Sequence, residues 1–225
     1  MISEKQRSAE AACEYVKDGM IVGLGTGSTA EFAVKKIGEL VRNGLSIRGI
    51  PTSESTKILA ESEGIPLIDL SETMFIDLTI EGADEIDANL NMIKGGGAAL
   101  LREKIVASAS REEIIIVSGS KLVQQLGAFP LPVEVIPFGW QVVFNQLESL
   151  QGNPELRLKQ GPPSVTDQGN FIIDCHFRKI ENPEQLEQYL NMIPGVVENG
   201  LFINLCTRMI MADGENLIIK NRNLN

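Results

Sequence analysis

Over the first 120 or so residues the hydrophobic pattern keeps changing period. Residues 3–18 read as a helix, MIVGLG (20–25) is a short apolar run of strand length, and residues 28–43 return to helical spacing. A short strand follows at Ile47–Ile50, then a helix at 54–63, the strand FIDLTI at 75–80, an apolar helix at 98–109 and the strand EIIIVSG at 113–119. Strands alternating with helices of this length predict βαβ units and a mostly parallel sheet. The character changes near residue 128. FPLPVEVIPF is punctuated by proline, which suits a crossing strand at a domain junction. A helix at 139–150, strands at 155–159 and 171–177, and a helix at 184–192 come next, the last with Asn182 as its cap and Pro183 in its first position. LFINLCTRMIMAD then brings the chain back. The expected fold is α/β: a doubly wound, mostly parallel sheet built from residues 1–127 and 202–225, with a second, smaller α+β domain at 128–201.

Composition narrows the class. Of 225 residues, 43% are hydrophobic and 22% charged, which suits a globular protein with a sizeable core. No apolar run approaches the roughly 18 residues of a membrane span. MISEKQRSAEAACEYVKDG mixes acids and bases, unlike a secretory leader, so a cytoplasmic location is expected. A net charge of −10 argues against nucleic acid as a partner and requires any anionic substrate to find local cations. Cys13, Cys175 and Cys206 are far apart and in no metal spacing, so they read as reduced, small apolar residues. His176 is the only histidine, and a Ser-His-Asp mechanism has little to build on.

Four segments carry possible chemistry. In MIVGLGTGSTAEF, glycines alternate at 23, 25 and 27 before a helix begins near Ser28, an arrangement that turns backbone N–H groups toward an anion. A dinucleotide fingerprint would need glycine at Ser28, and a Walker loop would need a lysine before the Ser-Thr pair, so a single phosphate monoester fits better. The bland reading is a tight turn with Ser28 as a cap. TIEGADEIDANLNMIKGGG places acids where a strand stops. Its Asp87, Asn89 and Asn91 alternate like a calcium loop, but Met92 and Ala98 stand where that loop needs glycine and glutamate. What remains is Glu81, Asp84, Glu85 and Asp87 followed by Lys94 beside three glycines, or simply a solvated acidic loop. In AALLREKIVASA no cation lies three or four residues from Glu103, and on spacing alone Arg102, Glu103 and Lys104 form the narrow wet face of a buried helix. Lys121, past the end of a strand, is either a cation for a phosphate or an ordinary loop lysine.

Taken together and in order, GLGTGSTA, SESTK, DLTIEGADEID, IKGGGAALLREKI, FPLPVEVIPF and IPGVVENGLF resemble type A ribose-5-phosphate isomerase, over nearly the whole chain. The resemblance implies a doubly wound domain with a smaller α+β domain, assembled as a homodimer or homotetramer. It implies interconversion of D-ribose 5-phosphate and D-ribulose 5-phosphate through an enediol, with a small phosphorylated sugar as partner and neither metal nor cofactor. Residue by residue, Thr26, Gly27, Ser28 and Thr29 match the family's substrate loop. The segments Glu81, Gly82, Ala83, Asp84 and Lys94, Gly95, Gly96, Gly97 match two further substrate-contacting stretches. Glu103 falls on the proton acceptor and Lys121 on a substrate-binding lysine. Lys94 then opposes the negative oxygen of the intermediate, while Asp84 and Glu81 hold hydroxyls and aid ring opening. One departure stands out: the family motif usually reads DGADE, and here the first acid is Glu81, one methylene longer. A rival reading, the sugar-phosphate-sensing domain of a regulator, calls for a DNA-binding module, and neither the first βα unit at the start nor the negative charge suits one.

Overall fold

The computed structural model describes residues 2–222. In chain order the elements are α1 (Glu4–Cys13), β1 (Ile21–Leu24), α2 (Ala30–Arg42), β2 (Arg48–Pro51), α3 (Glu54–Ser62), β3 (Ile76–Gly82), β4 (Glu85–Ile86), β5 (Met92–Ile93), α4 (Leu100–Ser108) and β6 (Ser110–Ser118). They continue as β7 (Leu131–Val135), α5 (Trp140–Ser149), β8 (Pro154–Leu156), β9 (Phe171–Cys175), α6 (Pro183–Asn191), β10 (Val196–Asn199), β11 (Leu201–Phe202), β12 (Arg208–Asp213) and β13 (Asn216–Asn221). Small polar residues start the helices, as their types demand. Ser3, Ser53 and Asn182 each accept a hydrogen bond from a first-turn N–H, those of Gln6, Thr56 and Gln185. Pro183 occupies the first turn of α6, where no N–H is needed.

The chain forms two compact units. The first comprises the residues up to Ala83, Arg102–Leu122 and the residues from Asn204 onward. Its six-stranded sheet has the order β13-β12-β6-β3-β1-β2, parallel except for β13 on β12. All four residues of β1 are buried, as a strand covered on both faces requires. On one face Ala9, Ala12 and Cys13 of α1 and Ala33, Val34 and Ile37 of α2 pack on Val22, Leu24, Leu78, Ile80, Ile114 and Ile116. On the other, Val106 of α4 packs with Ile21, Ile50 and Ile76. This is the doubly wound arrangement.

The second unit comprises Asp84–Leu101 and Val123–Ile203. It holds a four-stranded antiparallel sheet, β10-β7-β9-β8, and a small sheet, β11-β5-β4. Leu131, Val133 and Val135 of β7 pack with Ile173 and Cys175 of β9, Val143 and Leu147 of α5, and Leu190 of α6. The proline-punctuated run thus becomes a central strand. Pro132 is tolerated there because its carbonyl, and hence its missing N–H, faces Gly200, whose N–H donates to that carbonyl at 2.8 Å after the β10 pairing has ended at Val133.

The division between domains differs from the expected 1–127, 128–201 and 202–225. Residues 84–101 belong with the smaller unit, because β4 and β5 pair with each other and β5 pairs with β11. Residues 123–127 and 202–203 belong there too, and within the returning run LFINLCTRMIMAD it is β12 that joins the parallel sheet. Residues 1 and 223–225 of the expected first domain lie outside the described residues.

All three cysteines are free and buried, and burial pushes each thiol up to about 12, as expected of inert apolar residues. Among the described residues no helix is long and apolar enough to cross a membrane.

Glu134 of β7 is 1% exposed. Its Oε1 accepts from Thr166 Oγ1 at 2.8 Å and from Asn170 Nδ2 at 2.9 Å. Burial pushes this carboxyl above the ordinary glutamate value, against the pull of those two hydrogen bonds, and Glu198 opposite on β10 adds to the rise. Folding therefore favours the protonated form. The stabilisation is complete below the ordinary value of 4.5 and is lost as pH climbs through the raised one. Glu134→Gln should flatten the fall of Tm as pH rises above 4.5 in thermal unfolding; parallel Tm curves for variant and parent would contradict this account.

Candidate active site

In a doubly wound sheet the loops at the carboxyl ends of the strands open on one edge. In the first unit these are the loops after β1, β2, β3, β6 and β12. Gly25 leaves β1 with its N–H on the carbonyl of Ile80 at 3.1 Å, and Gly27 turns the chain with a φ of +102° toward α2. Thr29 stands before α2 without capping it through its side chain, so the partial positive charge of that helix end faces the loop. The hydroxyl of Thr26 lies 2.8 Å from those of Thr52 and Ser53 and 3.1 Å from that of Thr56, which ties this loop to the one after β2.

Glu81, near the end of β3, explains the glycine before Thr26. It is 1% exposed. Its Oε1 accepts the N–H of Thr26 at 2.9 Å and that of Gly82 at 3.0 Å, and its Oε2 accepts the Thr52 hydroxyl at 3.3 Å. A Cβ at Gly25 would stand 2.4 Å from Oε1 and 2.5 Å from the Ile80 carbonyl, so only glycine fits beneath the carboxylate. The extra methylene lets the carboxylate curl back and fasten the Thr26 loop.

α4 runs opposite to the strands. Its end lies at the start of β3, where the Ile76 N–H donates to the Ala109 carbonyl at 2.9 Å. Its beginning lies at the carboxyl edge, where Arg102 pairs with Glu54 of α3 at 2.8 Å. Glu103 is one turn before Val106, on the side that packs against the sheet, and is 5% exposed. The wet face expected from spacing is therefore misplaced: Glu103 points inward, while Ile105 is 45% exposed. The reason is rotational phase, since a helix of 3.6 residues per turn puts 103, 106 and 107 on one face and 105 opposite. Lys121 ends a 3-10 turn, Gly119–Lys121, at the same edge, roughly 10 Å from β1 at two strand spacings.

One cation was not singled out by the sequence. Lys5 of α1 donates to the hydroxyl of Ser28 at 2.7 Å. In sequence it is only another lysine of an amphipathic helix, 23 residues from its partner, and the pairing depends on how α1 packs on α2.

The second unit gathers the remaining residues. Lys94 is 2% exposed, its N–H on the Gly200 carbonyl at 2.9 Å and its Nζ 5.4 Å from the centre of the Phe202 ring. Gly95 takes a φ of +103°, and a Cβ there would strike Leu100. Asp84 Oδ2 accepts the Gly96 N–H at 2.8 Å, so this acid holds the glycine run directly. The structure thus brings Thr26, Gly27, Ser28, Thr29, Glu81, Gly82, Glu103 and Lys121 to one sheet edge in the first unit, with Ala83 its last residue before the chain crosses. It collects Asp84, Lys94, Gly95, Gly96 and Gly97 in the second.

The family model of ribose 5-phosphate isomerase A (phosphoriboisomerase A) matches residues 48–216. The chain belongs to this family. A ribose-5-phosphate isomerase A of Bacillus mycoides is 52% identical over 213 residues, covering 94% of this chain and 96% of its own. The ribose 5-phosphate isomerase A structure from Methanocaldococcus jannaschii superposes with a TM-score of 0.93 at 40% identity, over 96% of this chain and 97% of its own. A D-ribose-5-phosphate isomerase in complex with phospho-erythronic acid gives 0.94, also at 40% identity, over 97% and 98%. Membership of the ribose 5-phosphate isomerase A family accounts for the order of the segments and for the α/β fold with its smaller antiparallel unit.

Two outcomes test this local architecture. Gly25→Ala should cost about 1–3 kcal/mol of stability, because the Glu81 carboxylate or the Ile80 carbonyl must move, and urea unfolding measures it. Lys5→Ala should raise the KM for a phosphorylated substrate roughly tenfold with little change in kcat, the signature of a lost charge-assisted contact.

Proposed function

We propose that this chain interconverts D-ribose 5-phosphate and D-ribulose 5-phosphate, with Glu103 as the base. The observation that carries the assignment is the inward-facing carboxylate of Glu103 at the carboxyl edge of the parallel sheet, in a member of the ribose 5-phosphate isomerase A family. With the sugar ring open, Glu103 takes the proton from the carbon beside the aldehyde, leaving an enediolate, and returns it to the former aldehyde carbon. One carboxylate serves both directions, and no atom is gained or lost.

The negative oxygen of the enediolate needs a cation and donors fixed in advance. Lys94, almost wholly buried, supplies the charge, and N–H groups of the glycine run supply dipoles. A desolvated ammonium acts more strongly on a developing charge than one in water. Asp84 holds hydroxyls, aids ring opening and carries the proton between oxygens. Glu81 shares that duty through the loop it fastens, where the phosphate sits over Thr26, Gly27, Ser28 and Thr29 with Lys5 and Lys121 as cations. The reaction requires neither metal nor cofactor. The chain acts as a homodimer or homotetramer, a reading that rests on the family resemblance.

Formation of ribulose 5-phosphate from ribose 5-phosphate in the presence of a chelator tests the whole reading. No turnover refutes the function, and chelator-sensitive turnover refutes the metal-free mechanism. Glu103→Gln should lower kcat roughly 10²–10⁴-fold while leaving KM nearly unchanged. A variant that keeps most of its turnover removes Glu103 from the mechanism.

A further inference from the structure

Behind the glycine run stands an arginine that the mechanism above does not use. Arg157 follows β8, its N–H bonded to the Ile172 carbonyl of β9 at 2.9 Å. Its guanidinium is forked onto Asp174 of β9, Nε donating to Oδ2 at 2.8 Å and Nη2 to Oδ1. The third nitrogen, Nη1, donates to the carbonyl of Gly95 at 2.9 Å and to that of Gly96 at 3.2 Å. Both side chains of the pair are 17% exposed, so the contact is shielded from water.

The direction of those two carbonyls decides where two N–H groups point. In a trans peptide the N–H lies opposite the C=O of the same unit. With the Gly95 carbonyl drawn to Arg157, the Gly96 N–H must face away from it, and there it meets Asp84 Oδ2 at 2.8 Å. With the Gly96 carbonyl drawn the same way, the Gly97 N–H is turned from the arginine too. The glycine run is thus gripped from both sides, by a guanidinium on its carbonyls and by a carboxylate on an N–H. Glycines need such a grip, because they have the most backbone freedom to lose.

We propose that Arg157 is a positioning residue for the isomerisation: held by Asp174, it orients the Gly95–Gly96 peptide so that its N–H holds Asp84, and the Gly96–Gly97 peptide so that the Gly97 N–H faces the reacting oxygen beside Lys94. This deepens the isomerase reading and rests on it. A lysine does not substitute. Its single ammonium cannot grip a carboxylate with two nitrogens and reach two carbonyls with a third.

The test is steady-state kinetics of ribose 5-phosphate isomerisation in the full chain, with Tm followed in parallel. Arg157→Lys should keep KM within about threefold and lower kcat roughly 10–100-fold, because preorganised donors act on the transition state more than on bound substrate. Arg157→Ala should lose at least as much kcat, and millimolar guanidinium should restore part of it where methylammonium does not. Asp174→Asn keeps the arginine but loosens its fork, and serves if the Arg157 variants do not fold. It should lower kcat roughly 3–10-fold at unchanged KM. Unchanged kcat in Arg157→Lys, or in Asp174→Asn where only that variant folds, overturns the proposal, as does a loss confined to Tm or KM. An inactive parent protein overturns both readings, whereas an active parent with fully active variants overturns this one alone.

Discussion

A buried carboxylate has to be met by hydrogen-bond donors, and Glu81 imposes that demand on the loop that follows β1. Two backbone N–H groups and a hydroxyl come to it, from Thr26, Gly82 and Thr52. Meeting the carboxylate removes room for any side chain at residue 25 and draws the hydroxyls of Thr52, Ser53 and Thr56 around Thr26. The same device recurs in the second unit. There a Cβ at Gly96 would stand 2.8 Å from Asp84 Oδ1, while Asp84 Oδ2 takes the Gly96 N–H. In each unit an acid just past or just before the crossing at residues 83 and 84 pins a glycine loop, so one short segment governs two loops far apart in sequence.

This bears on Glu81, which stands where the resemblance leads to the expectation of an aspartate. On sequence grounds the added methylene shifts a contact with a sugar hydroxyl. In the structure the longer arm reaches the N–H groups of Thr26 and Gly82, and Asp84 is the acid left half-buried. The proposed mechanism divides the two acids accordingly, one acting through a loop and one on hydroxyls.

Much of the fold was legible in the residues because the parallel sheet is covered on both faces, so its strands are near-continuous apolar runs between amphipathic helices. The start of α6 followed from Asn182 and Pro183. What stayed hidden has physical causes. β4, β5 and β11 have two residues each, too few to show any period, yet their pairing moves residues 84–101 into the smaller unit. Ile105 outside and Glu103 inside invert the polarity that a surface helix normally shows, so no pattern rule singles out Glu103; only the order of motifs around it did. Lys5 and Arg157 meet their partners across long separations, 23 residues to Ser28 and 62 to Gly95, which spacing cannot reveal.

The interrupted path of the chain also bears on how the molecule comes to be built. β12 lies between β6 and β13, but its residues are synthesised after the whole of the second unit. Until then β6 is an outer strand whose buried segment, Ile114–Val117, is among the most apolar in the protein. A bare parallel edge of this composition is a template for pairing with another nascent chain. The interval between the emergence of residue 118 and that of residue 208 is therefore the window in which aggregation competes with completion of the sheet.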